Sequence, residues 1–249
     1  MIAKLVANNS SKKKPKRRKK KKKKNRSNND DDVHFLPPPP TQLLDQDDEK
    51  KAERVPLPPM EERTPLEKSW TIWYERELSV EERAQFGADE TAAWQARLVH
   101  VATVATAEDF WNVFDNLLPA SYLKDRHSLM VFREGVQPSW ECGANINGGR
   151  WRLSLQGKEA QRVDDRWCDG LIALVGETVP NDEEIINGFC VQRRDKTFRL
   201  SLWTARALAE ELQCYVADEF RRRMNASSKL HFRFQPHDVE SYGGCYYDV

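Results

Sequence analysis

Residues 197–203 read TFRLSLW, and this stretch decides the fold class. Leu200 and Leu202 alternate with polar residues, so a strand here presents one apolar and one polar face. Six other segments look like strands, and several alternate in the same way; they are 69–75, 95–103, 127–133, 150–156, 185–193 and 229–235. Such alternation is typical of an antiparallel sheet whose two faces have different surroundings.

Three segments with the helical period of 3.6 residues interrupt these strands. The first follows Thr106, a helix N-cap, and ends before Pro119; the second covers 161–175 and the third 205–223. Their apolar stripes are Phe110, Val113, Phe114, Leu117 and Leu118; Val163, Trp167, Leu171 and Leu174; and Leu208, Leu212, Tyr215, Val216 and Phe220. We therefore predict an α+β domain, a curved antiparallel β-sheet of about seven or eight strands with three α-helices on its convex face. Its open concave face would be a ligand surface.

The N-terminal segment is strongly basic. Residues 1–26 contain fourteen Lys and Arg and no acidic residue, so residues 27–249 carry a charge of −13 within a total of +1. The run KKKPKRRKKKKKK at 12–24 repels itself and has no apolar residue with which to form a core. Such a tail suits RNA phosphates, an anionic partner or a nuclear-import receptor. The alternative is that it has no specific partner.

A linker follows the basic tail. Acidic residues at 30–32, four prolines at 37–40 and PLPP at 56–59 favour extended, polar chain over a packed domain. We predict that residues 1–63 are a disordered basic tail and Pro-rich acidic linker. Residues 64–249 are predicted to form a single domain.

The sequence also argues against several classes of protein. Its five cysteines contain no C-x-x-C pair, and their odd number disfavours a disulfide framework. We expect no metal and no cofactor, and a reducing compartment: the cytoplasm, with the nucleus as a second location. No apolar run is long enough to span a membrane. The chain has no P-loop and no G-x-S-x-G motif, so we expect a binding protein and not an enzyme.

Eight tryptophans lie between Trp70 and Trp203, more than the packing of one domain requires. Four are interpreted as core residues: Trp70, Trp73, Trp151 and Trp167. Trp94 and Trp140 lie in loop-like segments, where an indole either folds back onto its own domain or stacks on a ligand. Two such indoles could enclose a flat aromatic ring, with a cation–π contribution if the ring is charged. A carboxylate beside them, Glu141, could accept hydrogen bonds from the N–H edge of guanine.

Cations are concentrated near two of the predicted strands. Arg150 follows the glycines at 148–149, and the segment 191–200 supplies Arg193, Arg194, Lys196 and Arg199. On an otherwise acidic body, such a group suits a polyphosphate. Pairing with surrounding acids is the alternative.

Five short motifs occur in a specific order and spacing: WQARL, EDFW, PSWE, GGRW and LSLWT. With them, the chain resembles the eukaryotic translation initiation factor 4E family, which binds the mRNA cap. The resemblance runs from about Thr64 to Gln235 and implies the family fold, a curved sheet backed by three helices. The long insertion at 77–93 and the lysine-rich tail resemble divergent protozoan members more than the animal form.

By position, the resemblance implies a cap-binding site. Trp94 and Trp140 would enclose 7-methylguanine, and Glu141 would accept hydrogen bonds from the guanine edge. Trp203 would contact the N7-methyl group. The cap phosphates would lie against Arg150, Arg194, Lys196 and Arg199.

A second surface on the helical side is also implied. Family members dock there a peptide from a scaffold initiation factor of the 4G type or from an inhibitory binding protein. The matching residues are Pro65, Leu66, Trp111, Cys168, Ile172, Val175 and Gly176. Trp111 lies at the edge of the first helical stripe, and the second helix has a further apolar set at Cys168, Ile172 and Val175, which favours a groove. Alternatively, Trp111 only covers the first helix.

Two departures from the family pattern leave functional alternatives open. Cys168 stands where an aliphatic residue is usual, which predicts a shallower groove. The C-terminal stretch 235–249 is short and not basic, which predicts weaker cap binding or preference for another cap structure. The main hypothesis is recruitment of capped mRNA to a scaffold. The alternatives are a translational repressor, or an interaction module with weak or lost cap binding.

Overall fold

The structure is a computed structural model that describes residues 57–179, 185–207, 209–238 and 247–249. Its curved, open sheet has seven antiparallel strands in the order β2-β1-β3-β5-β6-β4-β7, which confirms the predicted fold class. The strands are β1 Pro65–Glu75, β2 Leu98–Thr106, β3 Ser128–Arg133, β4 Gly149–Leu155, β5 Ile186–Arg194, β6 Thr197–Thr204 and β7 Phe232–Pro236. The predicted tail and most of the linker lie outside the described residues, so the boundary at residue 64 stays a prediction.

Five α-helices occur in the described part of the chain. They are α1 Val80–Ala84, α2 Glu90–Gln95, α3 Ala107–Phe114, α4 Val163–Val175 and α5 Glu210–Arg223. The last three are the predicted helices. As expected, Thr106 caps α3 by accepting a hydrogen bond from the backbone N–H of Asp109 at 3.2 Å.

The two short helices, α1 and α2, lie where the sequence predicted a loop. A capping box starts α1, because Ser79 and Glu82 each accept a hydrogen bond from the other's backbone N–H. Arg76 also donates to both carboxylate oxygens of Glu82, at 2.8 and 2.7 Å. These hydrogen bonds, the one from Arg76 first, lower the pKa of Glu82 to about 2. The insertion is therefore locally ordered by its own polar side chains.

The main core lies between the sheet and the helices. Trp167 of α4 stacks on Phe189 of β5 with ring centroids 5.0 Å apart. Gly170 allows this approach, since a Cβ there would come within 2.4 Å of the Phe189 ring. Trp151 of β4 donates its indole N–H to Gln213 of α5 at 2.7 Å, which fastens the third helix to the sheet.

Several predicted core positions proved wrong. Helix α3 ends at Phe114, and Leu118 beyond it is 72% exposed; the backbone before Pro119 disfavours helix. Helix α5 begins five residues later than predicted, since Ala205 and Ala207 donate backbone hydrogen bonds to Ile185 and Asn147. Tyr215 is exposed beside the stripe, and Leu208 lies outside the described residues.

Candidate functional site

The open face of the sheet carries a smaller hydrophobic cluster of its own. Its buried members are Met130, Phe132, Val136, Cys190 and Trp203. Above it is a cavity of about 340 Å³, which we call the front cavity. It is lined by Glu75, Trp94, Arg97, Ser128, Met130, Pro138, Trp140, Arg150, Arg152, Cys190, Gln192, Arg194, Arg199, Ser201 and Trp203. The period of two along β4 and β6 sends Arg150, Arg152, Arg199 and Ser201 to this face and Leu153, Leu200 and Leu202 to the helices.

Trp203 forms part of the inner wall of the front cavity and is only 7% exposed. Its ring packs against His237 at 4.3 Å between centroids and edge-on against Phe132 at 5.4 Å. The Arg150 guanidinium lies 5.8 Å from the ring centroid on the open face. Trp203 is therefore held rigidly and presents a small indole surface to the cavity.

Five arginines line the same cavity: Arg97, which is paired with Glu75, and Arg150, Arg152, Arg194 and Arg199. Burial and, to a smaller extent, the charges of Arg150, Arg199 and Arg194 lower the pKa of Arg152 to about 10. Burial also lowers the pKa of Arg150, with a further contribution from Arg199. Like charges held this close destabilise the empty site, so an anion bound between them would be favoured.

Trp94 and Trp140 both border the front cavity at its mouth. Trp140 lies in the loop between β3 and β4, and 55% of it is exposed. Trp94 was predicted to lie in a loop, and this was wrong: it is half-buried on α2, whose N-cap Asp89 accepts from the Ala92 N–H at 2.9 Å. Both rings also border a neighbouring cavity of about 440 Å³. The indoles therefore lie between two open spaces.

A buried amide network positions the Trp140 loop. Asn145 is fully buried and donates to the backbone carbonyls of Gln137 and Ser139, at 2.9 and 2.8 Å. Its own oxygen accepts from Asn187 of β5 at 2.8 Å. Hydrogen bonds to the backbone of the loop thus hold it on the sheet. The Trp140 side chain is not needed for this and can stay exposed.

Glu141 lies beside the indoles and outside the lining of the front cavity. Its carboxylate borders the 440 Å³ cavity and accepts a hydrogen bond from Ser139 Oγ. The exposed carboxylate therefore lies on the side of Trp140 that faces the second cavity. A flat ligand ring between the two indoles would turn one edge toward it.

Two other cations of the sequence analysis do not line the front cavity. Lys196 is exposed in the turn between β5 and β6. Arg193 points to the helical side and donates to the carbonyl of Leu123 at 3.1 Å. Its guanidinium also lies 5.6 Å from the Phe198 ring centroid. The sequence predicts Arg193 and Arg194 in one group of cations, but alternation along β5 places them on opposite faces of the sheet.

Three charged residues of the front cavity were not predicted from the sequence: Glu75, Arg97 and Arg152. Arg152 follows Arg150 at a spacing of two, and this period was the available signal. Arg97 and Glu75 form an ion pair at 2.8 Å beneath Trp94's side of the cavity, and Ser128 donates to Glu75 at 2.7 Å. The pair joins the last residue of β1 to the residue just before β2, which are far apart in the sequence, so no local motif indicates it.

Two adjacent glycines bring β4 close to its neighbours. A Cβ on Gly148 would lie 1.8 Å from the Thr204 carbonyl oxygen. On Gly149 it would lie 2.4 Å from the Phe234 ring. Both positions exclude larger residues, and they fix the start of β4 and with it the Arg150 side chain.

The residues of the predicted partner surface lie on or beside the helical layer, with unequal exposure. Trp111 is 41% exposed and Ile172 is 44% exposed, while Cys168 and Leu66 are half-buried. Pro65 and Gly176 are exposed, and Gly176 is the C-cap of α4. Val175, in contrast, is only 5% exposed and belongs to the main core. The exposed apolar set on α4 is therefore smaller than the sequence predicted.

His237 gives the packing around Trp203 a pH dependence. Burial and, to a smaller extent, the positive charge of Arg150 lower the pKa of His237 from an ordinary value of 6.5 to about 3. Between pH 6.5 and 3, His237 binds a proton in the unfolded chain and not in the folded one. The contribution of neutral His237 to the unfolding free energy is therefore complete above pH 6.5 and is lost as the pH falls. We expect wild type to lose about 2 kcal/mol more unfolding free energy than His237→Gln between about pH 7.5 and 5. Urea unfolding of both proteins at the two pH values measures this difference. Equal losses of unfolding free energy in wild type and His237→Gln would contradict the prediction.

Within the residues described, no three His, Cys, Asp or Glu side chains are grouped as metal ligands would be. The four cysteines in the described part of the chain are free thiols: Cys142, Cys168, Cys190 and Cys214. In the same residues, no helix has the length and apolar character needed to cross a membrane.

Sequence comparison places the chain among translation factors. Residues 65–243 match the family described as Eukaryotic initiation factor 4E. Eukaryotic translation initiation factor 4E of Aplysia californica is 34% identical over 186 residues, covering 74% of this chain and 81% of that protein. The factor of the same name from Saccharomyces cerevisiae is 31% identical over 173 residues, covering 70% and 76%.

Solved structures with the same fold include complexes with two kinds of ligand. Ascaris suum eIF4E-3 with an m2,2,7G cap has a TM-score of 0.65 and 29% identity, covering 75% of this chain and 98% of that one. C. elegans eIF4E-3 with the 4E-binding protein Mextli has a TM-score of 0.63 and 27% identity, covering 74% and 99%.

Proposed function

Because the chain belongs to the eukaryotic initiation factor 4E family, we propose that it binds the 7-methylguanosine cap of mRNA in the front cavity. The observation that carries this proposal is the combination of two indoles at the cavity mouth, Trp94 and Trp140, with five arginines in its lining. A flat base and a polyphosphate are the two parts of a cap. The indoles of the cavity suit the base, and its arginines suit the polyphosphate.

The base would lie between the two indoles. Methylation at N7 gives guanine a fixed positive charge, and the electron-rich faces of Trp94 and Trp140 attract it by a cation–π interaction. Trp203 would contact the methyl group from the wall of the cavity. Unmodified guanosine lacks the charge and the methyl group, so it should bind more weakly.

Glu141 would read the guanine edge. Guanine presents an N1–H and an N2 amine side by side, and a carboxylate can accept both in a charge-assisted pair. Ser139 already donates to this carboxylate, which holds it next to Trp140. Adenine has no such pair of donors and would be rejected.

The triphosphate would lie along the arginines of the sheet. Arg150, Arg194 and Arg199 were assigned to the phosphates by resemblance, and all three line the front cavity. Lys196 is exposed in the β5–β6 turn and would act at longer range. Arg152 adds a fourth guanidinium to this set.

We further propose that the helical layer docks a peptide from a scaffold initiation factor of the 4G type or from an inhibitory binding protein. Exposed Trp111 and Ile172 support this, since indoles and aliphatic side chains are common anchors for helical peptides. Binding a cap on one face and a scaffold on the other would recruit mRNA for translation initiation in the cytoplasm, with the nucleus as a second location. We propose a binding role without catalysis.

The rival functions make different predictions. A repressor would hold the cap without productive scaffold binding, so it would keep its activity when Trp111 is replaced. An interaction module without cap binding would fail to bind a cap-affinity resin. The pairing of both indoles with the arginine-lined cavity supports cap binding over this module.

The test is a tryptophan-fluorescence titration of the full chain with 7-methyl-GTP and, in parallel, with GTP. We expect saturable quenching by 7-methyl-GTP at micromolar or lower concentration, and binding of GTP at least about tenfold weaker, since a cation–π contribution of about 1–2 kcal/mol is lost. Equal binding of the two nucleotides, or no quenching by either, would overturn the proposed cap site.

A further inference from the structure

A third cavity lies on the open face beside the front cavity. It has a volume of about 530 Å³ and is lined by Arg152, Ser154, Gln156, Lys229, Leu230, His231, Arg233, Phe234 and Gln235. We call it the β4–β7 trough, because its walls come from those two strands and the residues before β7. Arg152 lines both cavities. The two spaces are therefore adjoining parts of one basic surface.

Strand register places like charges next to each other in the trough. Arg152 of β4 is directly opposite Arg233 of β7, and both side chains point to the open face. On the other side of β4, Arg199 of β6 is opposite Ser154. Three guanidinium groups thus cross three adjacent strands. Like charges directly opposite one another destabilise a sheet, unless an anion lies between them.

The neighbouring acid only partly balances this charge. Asp248 accepts from Arg233 Nε at 3.4 Å and lies 3.1 Å from His231 Nδ1. Arg233 and His231 are 62% and 68% exposed in their side chains, and ion pairs at such exposure contribute little. Arg152 Nη2 donates to Gln235 Oε1, a neutral acceptor, at 3.1 Å. With Lys229 also exposed at the rim, the trough keeps a positive character.

We propose that the β4–β7 trough binds the phosphodiester groups of the first nucleotides that follow the cap. This inference rests on the proposed cap site, because it requires a chain that leaves the front cavity past Arg152. Guanidinium groups bind phosphate by two parallel hydrogen bonds, and polar rims such as Ser154 and Gln156 can donate or accept beside them. Phosphate contacts carry no sequence information, so the trough binds any RNA sequence.

The charge pattern favours a polyanion with regularly spaced charges. A free nucleotide can place all of its phosphates in the front cavity. An RNA strand has further phosphates, which can contact further cations. The trough extends the row of cations from Arg199 through Arg152 to Arg233 and Lys229. A capped RNA should therefore bind more tightly than the isolated cap.

The experiment compares two ligands and two variants in the full chain. The ligands are 7-methyl-GTP and a capped RNA of five nucleotides, titrated by calorimetry at several salt concentrations. In the test variant, Lys229→Gln and Arg233→Gln remove two exposed cations that do not line the front cavity. The control variant, Arg222→Gln with Arg223→Gln, makes the same charge change at the exposed end of α5.

We expect wild type and control to bind the capped RNA more tightly than 7-methyl-GTP. The test variant should bind capped RNA about three- to tenfold more weakly, with the slope of log affinity against log salt reduced by about 1. Its affinity for 7-methyl-GTP should be unchanged. The basic tail is the same in all three proteins, so its own binding to RNA cancels in the comparison.

Two results would overturn the inference, and they are distinguishable. If the test variant binds capped RNA as wild type does, the trough does not contact the strand and the cap site stands. If wild type binds neither ligand, the proposed cap site itself is wrong and the trough proposal falls with it.

Discussion

Trp140→Ala is expected to weaken binding of 7-methyl-GTP by about 30- to 1,000-fold while leaving the fold intact. Stacking on an aromatic side chain contributes about 1–3 kcal/mol per base, and a cation–π interaction adds about 0.5–2 kcal/mol. More than half of Trp140 is exposed, at 55%, so its removal takes little from the core. Calorimetry measures the affinity, because replacing a tryptophan changes the fluorescence signal itself.

Trp94→Ala should weaken cap binding by a similar factor, but it should also lower the stability of the fold. Its ring is half-buried on α2, so Trp94→Ala removes packing as well as stacking. Trp140 is therefore the cleaner test of the two. Tyr215→Ala is a matched control, since Tyr215 is 49% exposed on α5 and lies outside the front cavity.

Unfolding experiments separate the two explanations of a loss. If Trp140→Ala unfolds at a much lower urea concentration than wild type and Tyr215→Ala, the residue is part of the core and its loss of binding says nothing about stacking. A variant that is stable and still binds the cap with wild-type affinity would remove Trp140 from the site.

The fold was predictable because its signals are local. Several strands alternate apolar and polar residues, as at Leu200 and Leu202, and others are short apolar runs; both patterns can be read from neighbouring residues alone. The seven strands and three long helices were found in this way, with errors confined to their ends. Helices α1 and α2 were missed because side-chain hydrogen bonds, such as Ser79 with Glu82, form them and no apolar stripe does.

The site was only partly predictable, because its geometry depends on strand pairing. Trp140 and Arg150 lie in short motifs that can be read directly. Arg152 gains its importance from standing opposite Arg233, a pairing of residues 81 positions apart that only the register shows. Arg193 and Arg194 are adjacent in sequence, yet one contacts the helical side and the other the front cavity.

Trp111→Ala is expected to weaken binding of a 4E-binding peptide by about 30- to 1,000-fold, with cap affinity unchanged. Buried anchors of this kind contribute about 2–4 kcal/mol to a protein interface, and tryptophan is prominent among them. The Trp111 ring is 41% exposed and rests edge-on against Phe110 and Phe114, at 5.2 and 5.7 Å. It is thus held in place with one face open to a partner.

The measurement is calorimetric titration of wild type and variant with the eIF4E-binding segment of Mextli, the partner in the C. elegans complex. Tyr215→Ala is again the control, because it removes an exposed aromatic ring from a different helix of the same layer. Trp111→Ala should keep its affinity for 7-methyl-GTP, and Trp140→Ala should keep its affinity for the peptide. Equal peptide binding by wild type and Trp111→Ala would show that Trp111 only covers α3. Loss of both ligands from one variant would mean that the two faces are coupled through the sheet.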